Sequence, residues 1–374
     1  MELKLKNVRT KEQKNRKVLL TGGHAATTAI SVIEELIRRY GRQGVDISWI
    51  GARFALEGKR IDGLELKVFP GIGVKSYLLN AGRLQRKFTR YTITSLLKLP
   101  IGFIQAVYYI LKIKPEITLS FGGFAAFPVV FVSWLFRIPV LIHEQTTSVG
   151  LANKLSTFFA KEILLARAES TIHFGSKKTE VVGNPVMTQI SEVGVKEKIG
   201  SPPVIFVMGG SRGSERINDA LFSILPKLLE KCQVIHITGE ADFKRFESVK
   251  NKNYRCFPFV SPMEIDNLYR ESDIVISRSG ANTVSELMII KRPAILIPIP
   301  WSHLNEQEEN AKFAKDFGVG RILKQDDLSG NRLLEEIEQI IKDWEKIISS
   351  VKSKHSSDVS ASSKVVNVLA KYLK

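Results

Sequence analysis

Two segments of the chain repeat one pattern, which is an apolar strand, a glycine turn and an amphipathic helix. The first segment has its strand at residues 17–21, its turn at 22–24 and its helix at 25–40. The second has its strand at 204–208 and its turn at 209–213, followed by a helix whose apolar residues recur at helical spacing. Further strands and helices alternate behind each segment. The chain is therefore predicted to be an α/β protein with two doubly wound units, each built on a parallel sheet.

The pattern is weaker between residues 52 and 80. We expect a short helix near 57–61 and a strand near 65–69 in this stretch, from the spacing of the apolar residues. Neither expectation affects the division of the chain into two units.

The length of 374 residues fits about two domains. A polar stretch after Gly183-Asn184-Pro185 interrupts the alternation, and we place the linker there. The predicted parts are a basic disordered tail at 1–16, a first Rossmann-like domain at 17–185, a linker at 186–202, a second Rossmann-like domain at 203–348, and a serine-rich segment with a last helix at 349–374. Because that helix is too short to be stable alone, we expect it to dock on the first domain.

The stretch 278–286, Arg-Ser-Gly-Ala-Asn-Thr-Val-Ser-Glu, lies between two apolar runs. It predicts a buried strand, a tight turn and the start of a helix, whose unpaired N–H groups and dipole favour an anion. The small residues at 279–281 leave room for a phosphate, and Glu286 is placed to accept hydrogen bonds from sugar hydroxyls. Thr283 and Glu286 also have the spacing of a capping box, which needs no ligand, so both interpretations stay open on this stretch alone.

The turn at 209–213 is a second candidate anion site, with a hydroxyl at Ser211, and Gln307 is placed to bind the hydroxyls of a sugar. The sequence contains no GxxxxGK[ST], GxGxxG, HExxH or DxD motif, and Cys232 and Cys256 lack metal-site spacing. We therefore expect neither a cofactor nor a metal ion. Helix N-termini and backbone amides are expected to hold a pyrophosphate instead. The cysteines are predicted to be reduced thiols of a cytosolic protein.

Three polar clusters follow predicted strands of the first unit, at 21–24, 122–124 and 143–145. Sheets of this class bind ligands at the carboxyl ends of their strands. A histidine at such a position, His24 or His143, suits a general base, because an unperturbed imidazole titrates near neutral pH. The alternative is a histidine that caps the following helix or is satisfied within its turn.

The formal net charge of +17 indicates an anionic partner, and nucleic acid, an acidic membrane surface and a phosphorylated substrate all fit it. Residues 80–114 combine clustered Arg and Lys with two apolar runs, each too short to span a bilayer. We favour an interfacial membrane contact for this segment over a core helix pair with a basic edge. The uncharged run at 119–136 is broken by Gly122, Gly123 and Pro128, so we interpret it as strand, turn and helix.

These stretches together resemble the MurG family of peptidoglycan N-acetylglucosaminyltransferases. Each motif alone is weak, but the set is specific, because the motifs follow the family's order and spacing over nearly the whole chain. The matching residues are Thr21-Gly22-Gly23-His24, Phe121-Gly122-Gly123-Phe124, His143-Glu144-Gln145, Gly183-Asn184-Pro185-Val186, Gly209-Gly210-Ser211-Arg212-Gly213, Arg278 to Glu286, and Gln307 with Asn310-Ala311.

The resemblance implies a GT-B fold, in which two Rossmann-like domains face each other across a cleft. It implies inverting transfer of N-acetylglucosamine from UDP-N-acetylglucosamine to the 4-hydroxyl of the muramoyl sugar of lipid I, which gives lipid II. His24 is then the leading catalytic base and Glu144 a supporting carboxylate. The implied donor-binding residues are Thr21, Gly22, Gly23, Thr146, Ser211, Val260, Arg278, Ala281, Asn282, Thr283, Val284, Ser285, Glu286 and Gln307. The implied acceptor-binding residues are Gly123, Phe124, His143, Gln145 and Asn184.

Within that donor site the resemblance implies uracil at the backbone of Val260, the ribose at Glu286 and the sugar at Gln307. It also implies a peripheral protein on the cytoplasmic face of the cell membrane, in contact with its anionic surface through residues 80–114. Other cell-wall synthesis proteins are expected partners, and nucleic acid is not.

The sequence departs from the family pattern at several positions. Leu19-Leu20 stand where the family has further glycines, Thr27 replaces a proline, and Glu306 precedes Gln307 where some relatives have glutamine. Thr146 replaces an asparagine and Met187 an arginine that would touch the donor, so those two contacts stay open.

Three alternatives remain beside the family's activity. The first is another GT-B transferase that acts on a membrane lipid such as diacylglycerol, against which the HEQ and GNPV motifs argue. The second is a nucleic-acid-binding protein, which would interleave basic residues with exposed aromatic ones on one face. The third is a transferase-like protein without activity, which the Thr146 and Met187 changes keep open.

Overall fold

The computed structural model describes residues 15–23, 25–52, 54–56, 59–62, 64–80, 90–210 and 213–373. Its first sheet is parallel and its strands are β1 (Arg16–Gly22), β2 (Val45–Ala52), β5 (Lys75–Leu79), β6 (Ile117–Ser120), β7 (Val140–Glu144), β8 (Glu162–Leu165) and β9 (Thr179–Val181). Their spatial order is β5-β2-β1-β6-β7-β8-β9, so the chain winds in both directions from β1. The short strands β3 (Phe54–Leu56) and β4 (Lys59–Asp62) form a separate antiparallel hairpin.

The second sheet is also parallel. Its strands are β10 (Val204–Met208), β11 (Gln233–Ile237), β12 (Tyr254–Phe257), β13 (Ile274–Ser277), β14 (Ala294–Leu296) and β15 (Gly320–Ile322). Their order is β12-β11-β10-β13-β14-β15, which again reverses at the first strand of the unit. Ligands of doubly wound sheets bind at this reversal, at the carboxyl ends of the strands.

Helices connect the strands of both sheets. They are α1 (Ala26–Tyr40), α2 (Leu64–Val68), α3 (Arg90–Ile113), α4 (Ala126–Leu135), α5 (Leu151–Ser156), α6 (Thr188–Ser191), α7 (Glu215–Leu229), α8 (Phe243–Glu247), α9 (Ile265–Glu271), α10 (Ala281–Ile290), α11 (Glu306–Phe317), α12 (Gly330–Val351) and α13 (Ala361–Ala370). The predicted class, two doubly wound α/β units, is confirmed.

Alternate residues of the central strands face opposite helical layers. Val18 and Leu20 pack in a core with residues of α1, whereas Leu19 packs with buried residues of α3 and α4. The central strand of the second sheet, β10, divides its side chains between two cores in the same way. A strand covered on both faces needs apolar residues at successive positions, which explains the continuous apolar runs of the sequence.

The expectations for residues 57–61 and 65–69 are wrong. Residues 59–62 form the strand β4, and Leu64 to Val68 form the helix α2. Leu64 and Val68 are four residues apart, and both pack against the core of the first unit, which suits one face of a helix. The place beside β2 is taken by β5 instead.

The last helix of the chain, α13, packs against α1 of the first unit. Arg39 of α1 donates a hydrogen bond to Asn367 (2.7 Å), and the hydroxyl of Tyr372 donates one to Glu162 of β8 (2.5 Å). The largest core cluster accordingly contains residues of both units and of α13. The exact domain boundaries stay a prediction, because α6 forms within the stretch that we expected to be a linker. Most of the expected basic tail, residues 1–14, lies outside the described residues.

Candidate active site

The helix α10 begins at Ala281, and the capping box considered for its start does not form. Gly280 occupies the N-cap position, and it has no side chain that could bond the first N–H groups of the helix. Glu286 lies too far into the helix to reach back, and its Oε2 accepts a hydrogen bond from the hydroxyl of Tyr269 at 2.8 Å. Ala281, Asn282 and Thr283 are half-buried at the open end of this helix. The uncapped first turn is therefore placed to bind an anion.

Glu286 is a buried carboxyl group. Burial raises its pKa to about 7, and the hydrogen bond from Tyr269 acts in the opposite direction. The same burial raises the pKa of Tyr269 well above the ordinary value of a phenol, so Tyr269 remains a hydrogen-bond donor. This pair presents a carboxyl oxygen close to the α10 turn, where an ionised form is suited to bind vicinal hydroxyls.

Arg278, which follows β13, forms hydrogen bonds to three loops. Its Nη1 donates to the carbonyl oxygen of Ile297 (3.0 Å), and its Nη2 donates to Ser214 (2.8 Å) and Gln325 (2.7 Å). Burial and the neighbouring Arg216 lower its pKa to about 10, which leaves it charged at neutral pH. Its hydrogen-bond partners among the described residues are all uncharged. An unneutralised buried cation beside an uncapped helix N-terminus favours a bound anion.

The glycine turn after β10 lies next to the loop that follows β11. Gly213 has a left-handed backbone (φ 76°), and a Cβ atom there would lie 2.2 Å from the carbonyl oxygen of Thr238. Only glycine fits this position. Ser211, the predicted phosphate ligand of this turn, lies outside the described residues. Val260 follows β12 as a half-buried residue that packs on the core.

Gln307 stands in the first turn of α11. Its Oε1 accepts a hydrogen bond from the N–H of Ile299 (3.1 Å), and its carbonyl oxygen accepts one from Ser279 (2.7 Å). These bonds fasten α11 to the loops that follow β13 and β14. Gln307 is therefore held beside the α10 turn, as a donor-sugar ligand would need to be.

In the first unit the loops after β1 and β6 lie on each other. The N–H of Gly23 donates to the carbonyl oxygen of Gly122 (2.8 Å), and a Cβ on Gly123 would lie 2.9 Å from the Cα of Gly23. This close approach and the left-handed backbone of Gly123 (φ 91°) require glycine at that position. Thr21 is buried, and its hydroxyl has no hydrogen-bond partner among the described residues. His24, the leading base candidate, lies outside the described residues.

Glu144 is the buried carboxyl group of the first unit. Its Oε2 accepts a hydrogen bond from Asn153 (2.7 Å), and its Oε1 accepts one from the N–H of Thr146 (3.1 Å). Burial raises its pKa, the hydrogen bonds lower it, and the charge of Glu306 from the second unit raises it further. The two units thus approach each other at this point. Thr146 supports Glu144 where the family has an asparagine.

His143 lies below the surface of the cleft. It is fully buried, and its Nε2 is 3.0 Å from the carbonyl oxygen of Gly183. Burial lowers its pKa to about 4, so the imidazole is neutral at neutral pH. This position suits a residue that holds the Gly183 turn, and it keeps the imidazole away from a substrate.

A network of uncharged side chains crosses the cleft. The hydroxyl of Thr28 in α1 accepts a hydrogen bond from Gln145 (3.1 Å) and donates one to Oδ1 of Asn282 (3.1 Å). That oxygen also accepts a bond from Asn184 (2.9 Å), and the Asn282 amide nitrogen donates to Thr27. Every donor meets an acceptor, so the network fixes the orientation of the Asn282 amide. The helix α10 of the second unit is thereby joined to residues of the first unit.

A buried ion pair lies behind this network. Arg167 contacts Asp358 with both terminal nitrogens, at 2.7 and 2.8 Å, and also donates to the hydroxyl of Ser285 at 3.0 Å. The N–H of Asn184 donates to the same aspartate at 2.8 Å. Ser285 is therefore part of the joint between the units, and Val284 beside it is a core residue. Both lie beneath the surface that a donor would touch.

The other predicted positions lie near the cleft with fewer contacts. Phe124 is half-buried before α4, and Gly123 is exposed beside it. Met187 replaces an arginine of the family. Its uncharged side chain is buried in the core.

Several contacts of the site were not predicted from the sequence. The predicted residues are held by buried neighbours that the sequence does not indicate. Tyr269 bonds Glu286, Asn153 bonds Glu144, and Arg167 forms an ion pair with Asp358. None of them belongs to a motif, so the sequence alone gave no signal for them. The contact of Thr27 with Asn282 had one weak indication in the sequence, which is that Thr27 departs from the family pattern.

The first unit carries an exposed apolar surface beside the cleft, which we call the apolar surface. It comprises Ile101, Ile104, Tyr108 and Leu111 of α3, Trp134, Leu135 and Phe136 at the end of α4, and Leu151, Leu155 and Phe158 in and after α5. Ring contacts between Phe131 and Phe159 (5.2 Å) and between Trp134 and Phe159 (5.0 Å) support it from below. Its basic neighbours along the chain are Lys112, Lys114, Arg137, Lys154 and Lys161, all exposed.

The segment 80–114 forms one long helix, α3, in its described part, and not a helix pair. Its exposed apolar residues recur at spacings of three and four, as one stripe, while Ala106 and Ile110 face the core. Residues 81–89, with most of the predicted basic cluster, lie outside the described residues. The run 119–136 forms strand, turn and helix, as predicted. No helix within the described residues is long and apolar enough to cross a bilayer.

Two parallel α/β units that face each other, with the N-terminus of α10 at the cleft between them, form the GT-B fold of glycosyltransferases. The model of the glycosyltransferase family 28 N-terminal domain matches residues 21–165, and that of the C-terminal domain matches residues 204–366. The chain belongs to glycosyltransferase family 28 and, within it, to the MurG family.

Three relatives illustrate the second part of that assignment. Each is named UDP-N-acetylglucosamine--N-acetylmuramyl-(pentapeptide) pyrophosphoryl-undecaprenol N-acetylglucosamine transferase. The Bacillus cereus protein, numbered 2, is 32% identical over 90% of this chain and 95% of its own. The Clostridium botulinum protein is 31% identical over 96% of this chain and 100% of its own. The Geobacillus thermodenitrificans protein is 33% identical over 92% of this chain and 96% of its own.

Solved structures agree in fold. Acinetobacter baumannii MurG superposes with a TM-score of 0.69 at 23% identity, over 95% of this chain and 99% of that one. A UDP-GlcNAc 2-epimerase from Neisseria meningitidis, bound to UDP-GlcNAc, gives 0.63 at 14% identity, over 95% of this chain and 100% of that one. Because proteins named as transferases and as epimerases share this fold, the fold alone does not decide the reaction.

Proposed function

We propose that this chain is a hexosyltransferase that moves N-acetylglucosamine from UDP-N-acetylglucosamine to the 4-hydroxyl of the muramoyl sugar of lipid I, which gives lipid II. The relatives at 31–33% identity carry the name of this activity and cover nearly the whole chain. The structural observation that carries the proposal is the buried Arg278, which bonds only uncharged groups among the described residues, close in the chain to the start of α10 with its glycine N-cap. Such a site suits the pyrophosphate of a nucleotide sugar and needs no metal-binding motif.

The second unit binds the donor in this proposal. The pyrophosphate lies at the N–H groups of Ala281 to Thr283, near Arg278 and the hydroxyl of Ser211. The ionised carboxylate of Glu286 accepts hydrogen bonds from the ribose hydroxyls, and the backbone of Val260 contacts the uracil. Gln307 binds the sugar. As the glycosidic bond breaks, the helix dipole and the arginine stabilise the negative charge that develops on the leaving UDP.

The first unit binds the acceptor and supplies the base. His24 takes the proton from the attacking 4-hydroxyl, which then adds to the face of the sugar opposite to the leaving UDP and inverts its configuration. Gly123, Phe124 and Gln145 line the acceptor site. Glu144 is the supporting carboxyl group of this acceptor site, and burial raises its pKa.

The predicted residues behind the cleft wall have a different role. We infer that His143 and Ser285 position the site without touching a ligand, because both are fully buried and bonded to the joint between the units. Asn184 and Asn282 join the two walls of the cleft. The glycine loop at 21–23 sets how closely the acceptor loops approach each other.

We place the apolar surface on the anionic inner leaflet of the cell membrane, at its cytoplasmic face. The surface joins an apolar stripe to exposed basic residues, and apolar burial and attraction to anionic lipid add in such contacts. A protein that binds there meets a lipid-linked acceptor without extracting it. Contacts with other cell-wall synthesis proteins belong to the same proposal, and nucleic acid has no part in it.

The test is transfer of labelled N-acetylglucosamine from UDP-N-acetylglucosamine to a short-chain lipid I analogue by the purified full chain. UDP-glucose, UDP-galactose and a diacylglycerol acceptor run in parallel. Glu286→Gln is the control variant, because it keeps the shape of the side chain and removes its charge. Product from the acetylated donor and lipid I alone, strongly reduced in the variant, supports the proposal. Saturable donor binding without product on lipid I contradicts it.

A further inference from the structure

The loop between β14 and α11 presents two large apolar side chains to solvent. Trp301 is 74% exposed and Leu304 is 67% exposed, on a unit whose other large apolar residues are mostly buried. Leu304 and Asn305 have left-handed backbones, with φ of 47° and 56°. A leucine rarely adopts this conformation, and it persists only where surrounding contacts hold it. The loop is therefore held in a shape that exposes these side chains.

One of the contacts that hold this loop comes from the other unit. The hydroxyl of Ser148 donates a hydrogen bond to the carbonyl oxygen of Leu304 at 3.2 Å. Ser148 stands three residues before Leu151, an exposed residue of the apolar surface. The loop thus meets the first unit at the edge of the apolar surface, next to the mouth of the cleft.

We propose that Trp301 and Leu304 form a second lipid contact, so that both units of the chain touch the same bilayer surface. The inference rests on the proposed function, which brings the apolar surface to a membrane, and it adds the second unit to that contact. The occupant is lipid because the loop continues the apolar surface and because residues 301–305 carry no carboxylate. The carboxylates that follow, Glu306, Glu308 and Glu309, are half-buried in the first turn of α11. A tryptophan with an apolar body and a polar N–H suits the interface between lipid and water.

This contact determines which way the cleft faces. With lipid contacts on both sides, the mouth of the cleft opens along the membrane. The head group of a lipid-linked acceptor can then enter while its chain stays in the bilayer.

The four tryptophans of the chain allow the two contacts to be measured separately. Trp49 and Trp344 are only 2% and 1% exposed, whereas Trp134 on the apolar surface is 47% exposed. In the Trp134→Phe variant the exposed fluorophore is Trp301, and in Trp301→Phe it is Trp134. Each variant is mixed with phosphatidylglycerol–phosphatidylcholine vesicles that carry brominated or ordinary acyl chains. Bromine quenches only a tryptophan that reaches the acyl chains.

We expect bromine-dependent quenching and a blue shift of emission in both variants. Quenching of Trp134 with no change at Trp301 would keep the membrane contact of the first unit and overturn the inference. No quenching of either would refute the membrane contact of the proposed function, and the inference with it. A Trp301 signal that responds to UDP-N-acetylglucosamine alone, and not to vesicles, would assign the loop to the donor site and also overturn the inference.

A pair of variants tests the loop by affinity. Trp301→Ser combined with Leu304→Asn removes the apolar groups, and the asparagine tolerates the left-handed backbone. We expect vesicle binding to fall by about tenfold, since two apolar side chains no longer enter the interface. Phe222→Ser, which changes a partly exposed aromatic residue of α7 in the same unit, is the matched control and should bind as the wild type does. An equal loss in both variants would show unspecific adsorption and overturn the assignment.

Discussion

The two walls of the cleft each hold a buried carboxyl group, and the groups differ in how they are held. Glu144 of the first unit accepts hydrogen bonds from both Asn153 and Thr146, its own neighbours in the fold. Glu286 of the second unit accepts one from Tyr269, its one donor among the described residues. A carboxyl group with donors on both oxygens is fixed before a ligand arrives. One with a single donor keeps acceptor capacity for the hydroxyls of a ligand.

The buried arginines of the two units differ in the same way. Arg167 of the first unit is neutralised by Asp358, whereas Arg278 of the second unit bonds only uncharged groups among the described residues. The Arg167 charge of the first wall is therefore already neutralised, whereas Arg278 leaves the second wall with positive charge for a polar anion. This contrast supports the acceptor on the first wall and the donor on the second.

Removal of the proposed base from the first wall is expected to have the largest effect on turnover. In His24→Ala we expect kcat to fall about 1000-fold, the size of a general-base contribution. The affinity for UDP-N-acetylglucosamine, measured by calorimetry, should change little, because the donor is bound by the other wall. Equal losses in turnover and in donor affinity would reject His24 as the base.

The donor wall is tested with matched carboxamide variants. Glu286→Gln should weaken UDP-N-acetylglucosamine binding about 100-fold, through the loss of charge-assisted hydrogen bonds to the ribose. Glu144→Gln should leave donor affinity nearly unchanged and lower kcat instead. Calorimetric titration of both variants decides the question. If Glu144→Gln lost donor affinity as Glu286→Gln does, the assignment of one ligand to each wall would fail.

The joint between the walls is tested at Thr28. Thr28→Val keeps the shape of the side chain and loses the hydrogen bond to Asn282 across the cleft and the one accepted from Gln145. We therefore expect kcat/KM for the lipid I analogue to fall about tenfold. Thr28→Ser should restore the activity. Ser31→Ala is the matched control, because Ser31 lies one turn later in α1 and donates only within the helix, to Thr27. A serine variant as poor as the valine variant would show that packing matters there and the hydroxyl does not.

The smallest effect is the pH dependence of donor binding. Burial raises the pKa of Glu286 to about 7, so the carboxyl group is mostly protonated below that pH and ionised above it. If the ionised form binds the ribose, affinity for UDP-N-acetylglucosamine rises about threefold from roughly pH 6.5 to 7.5. The pyrophosphate diester of the donor does not titrate in this range. Glu286→Gln should give a flat profile, and an equal slope in that variant would assign the titration to another group.

The sequence predicted those parts of the site that lie within continuous motifs. The strands, the glycine turns and the helix after residue 280 follow from local patterns, because each is built from neighbours along the chain. The sequence fits both a capping box and a ligand site at the start of this helix. The structure excludes the capping box, since Gly280 is the N-cap residue and the Glu286 carboxyl group accepts a hydrogen bond from Tyr269.

The contacts behind the motifs were not predictable in this way. Asp358 lies in a serine-rich stretch with no motif, yet it is almost fully buried against Arg167, 191 residues away in the chain. The sequence pattern shows which residues face a cleft, but it does not show which partners fix them from below. The predictions for residues 57–69 are wrong for a related reason. The strand that pairs with β2 at the edge of the sheet is β5, and the local pattern of residues 57–69 does not show this.

The ion pair between Arg167 and Asp358 also sets an order of events during synthesis of the chain. Arg167 becomes available early, just after β8, while its counterion and the helix α13 emerge only after the whole second sheet. Until then a nascent first unit carries a cation in a place that will be buried, and an apolar face of α1 without its cover. Domains generally fold as they leave the ribosome, in order from the N-terminus. The first unit therefore gains the counterion of Arg167 and the cover of α1 only after residues 358–370 have been synthesised.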